Sequence, residues 1–107
     1  MIRLAVCDDE ANSLNQVEQL VSEYNQNRTS EGKVVISTFL SPKALLANVS
    51  DGDDYDVYLL DIEMPDMDGL TLARAIQKIQ EHAVIIFLTS HSSMSFTVET
   101  VKLGAIR

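Results

Sequence analysis

Residues 55–70 read YDVYLLDIEMPDMDGL, and this stretch decides the fold that the sequence predicts. The apolar run Val57 to Leu60 ends in one carboxylate, Asp61, and a turn-rich segment with Pro65 and Gly69 then leads into a helical pattern. This order is typical of a buried strand that delivers an acid to its C-terminal end. Ligands of open α/β sheets bind beyond the carboxyl ends of the strands, so Asp61 is a candidate site residue.

Strand and helix patterns alternate on both sides of this stretch. Strands are predicted over Ile2 to Cys7, Val34 to Leu40, Asp56 to Asp61 and Ala83 to Leu88, and helices over Ala11 to Asn27, from Ser41-Pro42, from about Gly69, and over Met94 to Leu103. Short helical crossovers imply a parallel sheet with helices on both faces. The sequence therefore predicts an α/β, flavodoxin-like, doubly wound parallel sheet with strand order 2-1-3-4, in a single domain over residues 1–107.

The charge, the cysteine content and the lack of long apolar segments restrict the functions that the sequence allows. A net charge of −8 argues against direct binding to nucleic acid or to an anionic membrane surface. The single cysteine, Cys7, lies inside an apolar run, which indicates a buried, inert thiol in a reducing compartment. The N-terminus lacks a signal-peptide pattern, and no segment approaches the length of a membrane span. We therefore expect a cytoplasmic location without membrane contact.

Two acidic clusters are expected to meet at one edge of the sheet. In the flavodoxin-like order the first and third strands are neighbours, which places Asp8, Asp9 and Asp61 together, with Thr89 at the end of the fourth strand. Two charges about 5 Å apart repel by roughly 3 kcal/mol, so the cluster favours a cation such as Mg²⁺. Beside Mg²⁺, a strand-end carboxylate is suited to attack phosphorus, and Thr89 to bind a phosphoryl oxygen. The simpler alternative is that Asp8 and Asp9 cap the first helix.

Three motifs carry a resemblance to the receiver domain of two-component response regulators: Cys7-Asp8-Asp9-Glu10, LLDIEMPDMDG around Asp61, and FLTS at Phe87 to Ser90. The resemblance covers essentially the whole chain. It implies that Asp61 is the phosphoacceptor and Thr89 the switch hydroxyl. It also implies that Mg²⁺ is bound by Asp8, Asp9, Asp61 and the main-chain carbonyl of Glu63. The segments FLTSH and ETVKLGA further resemble receivers of the LytTR/AgrA type.

One departure from the family pattern lies at the C-terminus. Receivers have a fifth strand that begins with an aromatic residue and ends in a lysine followed by proline. Here Gly104-Ala105 matches the residues just before that strand, and the sequence stops at Arg107. The fifth strand, the last helix and any output domain are therefore expected to be missing. That would leave the apolar fourth strand as an edge, open to pairing with a second chain in a homodimer.

The resemblance implies a phosphorelay switch. A sensor histidine kinase would phosphorylate Asp61, and the domain would control a transcriptional, DNA-binding output domain that lies outside residues 1–107. The domain would catalyse only its own phosphorylation and dephosphorylation, so it is not expected to be an enzyme in the ordinary sense. Glu63 and His91, which flank the site, are candidate modulators of phosphate lifetime. The alternatives are an unphosphorylated interaction module and a Mg²⁺-dependent aspartyl-phosphate phosphatase, which usually carries an aspartate where Glu63 stands.

Overall fold

A computed structural model describes residues 1–90 and 96–101, with the backbone alone at positions 89, 90 and 96–101. Its elements are β1 (Ile2–Cys7), α1 (Ala11–Asn25), a 3₁₀ turn (Ser30–Gly32), β2 (Val34–Phe39), α2 (Pro42–Ser50), β3 (Val57–Asp61), α3 (Gly69–Ile79), β4 (Val84–Ser90) and β5 (Phe96–Val101). The predicted alternation is confirmed as far as β4. Within the described ranges, no helix has the length and apolar character needed to cross a bilayer.

The strands form one sheet in the order β2-β1-β3-β4-β5, and the first four are parallel, as predicted. β1 and β3 are neighbours, with Cys7 opposite Leu60. β3 and β4 pair with Asp61 opposite Leu88. Because parallel strands end at the same edge, this register brings the residues after Cys7 level with Asp61.

The larger part of the core lies between the sheet and helices α2 and α3. Tyr58, Leu60 and Phe87 from the strands pack in one fully buried cluster with Leu72 and Ile76 of α3. Burial of each such apolar side chain contributes about 1.5–3 kcal/mol. The strand ends that carry the acids are thus held by a tightly packed layer.

Two helix starts were readable from the sequence. Ser41 is the N-cap of α2, and its hydroxyl accepts a hydrogen bond from the Ala44 amide at 3.3 Å, with Pro42 in the first turn. Asp68 is the N-cap of α3, and its carboxylate accepts from the Thr71 amide at 2.8 Å. The second cap fixes where the loop after Asp61 ends.

The helix predicted over Met94 to Leu103 is wrong across residues 96–101, which form β5 instead. β5 pairs antiparallel with β4, with Thr97 opposite Thr89. The run FTVETV is rich in β-branched residues, which favour strands over helices. An open edge of β4 would also leave a row of backbone groups unpaired.

The prediction that β4 forms the edge of the sheet is therefore wrong as well. A homodimer was expected because β4 would be an open edge. Since β5 pairs with β4, this reason for expecting a homodimer no longer holds. β5 is antiparallel and comes from the segment predicted as helix, so it is not the parallel fifth strand that receivers have. The remaining residues of the predicted helix, and Gly104 to Arg107, lie outside the described residues.

Candidate functional site

Three carboxylates meet at the carboxyl edge of the sheet. Asp8 and Asp9 directly follow β1, and Asp61 ends the adjacent strand β3. Each offers one carboxylate oxygen, and these oxygens lie within 4.8 Å of one another. The structure thus brings together three of the residues that the sequence singled out, from segments more than fifty positions apart.

The cluster is buried on one side and open on the other. Asp8 and Asp61 expose only 4% and 8% of their surface, whereas Asp9 is exposed. Buried carboxylates are costly to ionise, and a buried pair of like charges is costlier still. The exposed side at Asp9 leaves the cluster accessible to solutes.

Asp61 shows this cost directly. Its pKa is raised to about 6, chiefly by burial and then by repulsion from Asp8, with smaller contributions from Asp9 and Glu63. The Glu63 amide donates to Asp61 Oδ1 at 3.1 Å and opposes the rise. Near neutral pH Asp61 is ionised but electrostatically strained, which favours a bound cation.

The pKa of Asp8 is also raised, but two groups donate hydrogen bonds to it that oppose the rise. Burial raises its pKa, repulsion from Asp9 adds to the rise, and hydrogen bonds from the Glu10 amide (2.9 Å) and from Ser13 act against it. The N-cap of α1 is Glu10, which makes no side-chain capping bond. The alternative that Asp8 and Asp9 cap this helix is therefore wrong, and their carboxylates remain available to a cation.

The floor beneath the carboxylates is apolar. Cys7 is fully buried, and its thiol lies 3.7 Å from the sulfur of Met64. Burial raises the pKa of Cys7 to about 12, and the neighbouring aspartates add to this. The expectation of a buried thiol is confirmed, and the raised pKa favours the predicted inertness. Because these buried groups are apolar, they strengthen the electrostatic interactions of the adjacent carboxylates.

Gly69 is a site residue that the sequence reasoning did not identify as such. A Cβ at this position would lie 2.3 Å from the backbone oxygen of Asp61, closer than real Cβ contacts. The Gly69 amide also donates to the carbonyl of Ile62 at 2.9 Å. α3 therefore begins in direct contact with the backbone that carries Asp61. A glycine directly after an N-cap residue was the available signal, but the close approach is visible only in three dimensions.

Glu63 and Thr89 are two further predicted site residues whose backbone is described. The Glu63 side chain is exposed, and its amide is the group that touches Asp61. Thr89 is in β4, one residue beyond Leu88, whose carbonyl accepts from the Ile62 amide at 3.2 Å. The Thr89 side chain and His91 lie outside the described part of the structure.

The donor set fits a hard divalent cation. All the groups gathered here are carboxylate oxygens, which suit Mg²⁺ or Ca²⁺ better than softer metals. A few fixed protein ligands with one open side suit Mg²⁺, which retains several waters and binds phosphate. The raised pKa of Asp61, which follows from its burial and from the neighbouring carboxylates, agrees with a site that favours positive charge.

Comparison with known proteins identifies the family. Residues 4–107 match the response regulator receiver domain. The chain belongs to this family. Among curated relatives of the receiver, the sensory transduction protein LytR of Staphylococcus saprophyticus is 34% identical over 105 residues, which cover 98% of this chain and 38% of that protein. Accessory gene regulator protein A of Staphylococcus epidermidis is 26% identical over 106 residues, or 98% of this chain and 44% of that protein.

These two relatives are LytTR-type regulators, which agrees with the predicted LytTR/AgrA-type subfamily. The receiver spans less than half the length of these relatives. A crystal structure of the response regulator TrrA of Thermotoga maritima, in complex with Mg²⁺-BeF, has a TM-score of 0.70 and 36% identity, over 86% of this chain and 72% of that one. A crystal structure of the histidine kinase ThkA in complex with TrrA matches with a TM-score of 0.70 and 30% identity, over 99% and 79% of the two chains.

Proposed function

We propose that this receiver is a phosphorelay switch that accepts a phosphoryl group from a sensor histidine kinase on Asp61. The observation that carries the proposal is the meeting of Asp8, Asp9 and Asp61 within 4.8 Å at the end of two adjacent strands. A carboxylate oxygen of Asp61 attacks phosphorus, the bond from phosphorus to the kinase imidazole breaks, and the imidazole takes up a proton. Asp61 then carries an acyl phosphate.

Mg²⁺ is the proposed cofactor, held by Asp8, Asp9, Asp61 and the main-chain carbonyl of Glu63. When bound, it neutralises the carboxylates and the transferring phosphoryl oxygens. Support comes from the all-oxygen cluster, from the raised pKa of Asp61, and from the relative TrrA, whose crystal structure is of a complex with Mg²⁺-BeF. The exposed Asp9 side is the proposed path of approach for the phosphoryl donor.

We propose that the output of this switch is the control of transcription and that the protein is cytoplasmic. Thr89 supplies the switch hydroxyl, and phosphorylation biases a two-state domain that controls a DNA-binding output domain outside this chain. An almost complete shift of such an equilibrium takes about 5.5 kcal/mol of differential stabilisation. The proposal rests on the similarity to LytR and accessory gene regulator protein A. The receiver itself catalyses only its own phosphorylation and dephosphorylation.

A mass measurement tests the proposal. The full-length protein is treated with acetyl phosphate and Mg²⁺, and one phosphoryl group is expected to be added. The gain should disappear in Asp61→Asn and persist in Asp66→Asn, which changes an exposed acid in the same loop. Failure of the parent protein to gain mass would favour the unphosphorylated interaction module. Turnover of a generic phosphate ester would favour the phosphatase.

Glu63 and His91 are proposed to tune how fast water attacks the acyl phosphate. Glu63 is exposed and its amide contacts Asp61, which supports a place for its side chain near the acyl phosphate. We expect Glu63→Ala and His91→Ala to change phosphate lifetime, measured in the full-length protein by decay of the acyl phosphate. Unchanged lifetimes in both variants would exclude this role.

A further inference from the structure

Charge is distributed unevenly over the helices. The sequences of α2, PKALLANVS, and α3, GLTLARAIQKI, contain Lys43, Arg74 and Lys78 but no aspartate or glutamate. By contrast, α1 contains Glu18 and Glu23 and no lysine or arginine. The whole chain carries a net charge of −8. The helical segments of α2 and α3 therefore carry positive charge on an acidic domain, with acids only at their caps, Asp51 and Asp68.

A groove runs between these two helices. Its volume is about 470 Å³, and it is lined by the apolar side chains of Leu46, Ala75 and Ile79 together with the cations Arg74 and Lys78. Ile79 is 48% exposed although it is large and apolar. Arg74 and Lys78 lie about one helical turn apart, so their side chains follow the same side of α3.

Of the two cations of the groove, Arg74 lies near enough to Asp68, the N-cap of α3, to help lower the pKa of that exposed carboxyl. Over residues 1–88, where side chains are described, the salt bridge within 4.0 Å is Arg3–Asp54, which involves neither Arg74 nor Lys78. The groove thus combines exposed apolar surface with two cations that form no salt bridge within 4.0 Å over residues 1–88. The sides of α2 and α3 that pack on the sheet are formed by residues such as Leu45 and Leu72, and Leu46 is partly buried against the same core.

We propose that the groove between α2 and α3 binds an acidic, amphipathic helix of a partner protein. Apolar side chains of that helix would pack on Leu46, Ala75 and Ile79, and its carboxylates would face Arg74 and Lys78. Helix-in-groove recognition uses this combination of an apolar stripe and flanking charges. Charge complementarity also speeds the encounter and excludes basic partners.

Two other occupants fit the groove less well. A second copy joined by a two-fold axis would bring the same positive face against itself, so that like charges would meet. A nucleic acid would be repelled by the rest of the domain, where sixteen acids outnumber five lysines and arginines. A short acidic helix meets only the local positive face. The proposal does not depend on phosphorylation of Asp61.

The test uses a synthetic peptide of about 15 residues, or four helical turns, with leucine along one stripe and glutamate elsewhere. Its binding to the full-length protein is followed by fluorescence anisotropy. We expect saturable binding that weakens with salt and that falls about tenfold or more in the double variant Arg74→Glu/Lys78→Glu. The same peptide with glutamine in place of glutamate should bind less tightly.

A matched control changes two cations elsewhere, Arg28→Glu/Lys33→Glu, and should leave peptide binding unchanged. Circular dichroism and acetyl phosphate labelling verify that both double variants fold and keep a working site. The proposal is overturned if the peptide does not bind saturably, or if Arg74→Glu/Lys78→Glu binds it as well as the parent does. It is also overturned if this variant instead loses binding to duplex DNA or loses self-association seen in the parent by light scattering.

Discussion

Replacing Asp61 by asparagine is expected to stabilise the folded receiver when no divalent cation is present. The pKa of Asp61 rises from 3.8 to about 6 on folding, and one unit corresponds to about 1.4 kcal/mol, so the ionised group destabilises the fold by roughly 3 kcal/mol. Asparagine removes the charge and keeps an oxygen that can accept from the Glu63 amide. Since Asp8 and Asp9 still repel each other, we expect a gain of about 1–3 kcal/mol near neutral pH.

The pH dependence of this gain is the sharper part of the prediction. Below the unfolded pKa of 3.8 the group is protonated in both states and contributes no difference. Between 3.8 and about 6 the unfolded chain ionises while the folded chain keeps its proton, so stability is lost as pH rises. Above about 6 both states are ionised and the full destabilisation remains. The advantage of Asp61→Asn should therefore be largest above pH 6 and shrink towards pH 4.

Urea unfolding in chelator, at several pH values, measures both effects. Asp66→Asn is the control, because Asp66 is exposed and lies outside the carboxylate cluster. Adding Mg²⁺ should then stabilise the parent more than Asp61→Asn, by about 1.4 kcal/mol at ten times the dissociation constant. A destabilised Asp61→Asn, or a gain that does not vary with pH, would refute the electrostatic argument.

Three further outcomes follow from packing. Gly69→Ala should cost about 1–3 kcal/mol and impair phosphorylation, because its Cβ meets the Asp61 backbone at 2.3 Å, whereas Gly32→Ala, with no contact below 3.9 Å, should be nearly neutral in the same assays. Ile76→Ala, at a fully buried site, should cost about 2–5 kcal/mol in urea unfolding, and Ile79→Ala, 48% exposed, far less; similar losses would contradict the assigned core. Cys7 should resist alkylation at mildly alkaline pH until the protein unfolds, since its pKa is about 12, and rapid labelling of the native protein would disprove this.

The sequence predicted the strands and the acidic cluster correctly where the local hydrophobic pattern and the expected topology agree. Apolar runs ending in acids predicted β1 and β3, and the doubly wound order then placed Asp8 and Asp61 side by side. β5 was missed because a short run with phenylalanine and valine fits both a helical and an extended pattern, and pairing with the edge of β4 decides between them. The β-branched residues of this run favour a strand, but its pairing with the edge of β4 is a tertiary effect that the run alone does not determine.

Two contacts that shape the site could not be predicted from the sequence. The hydrogen bond from Ser13 that eases the burial of Asp8 depends on how α1 is angled at the end of β1. The approach of α3 to the Asp61 carbonyl depends on the path of the intervening loop. Such distances arise from packing between elements, and spacing along the chain does not determine them.

The contact between position 69 and the Asp61 backbone has a consequence for how freely this segment can vary. Every amino acid other than glycine carries a Cβ, so each of them would meet the same oxygen, whatever its polarity or size. The next residue, Leu70, is 40% exposed and meets no such limit. In a saturation library selected for signalling, position 69 should keep glycine almost alone, while position 70 accepts a broad set of residues.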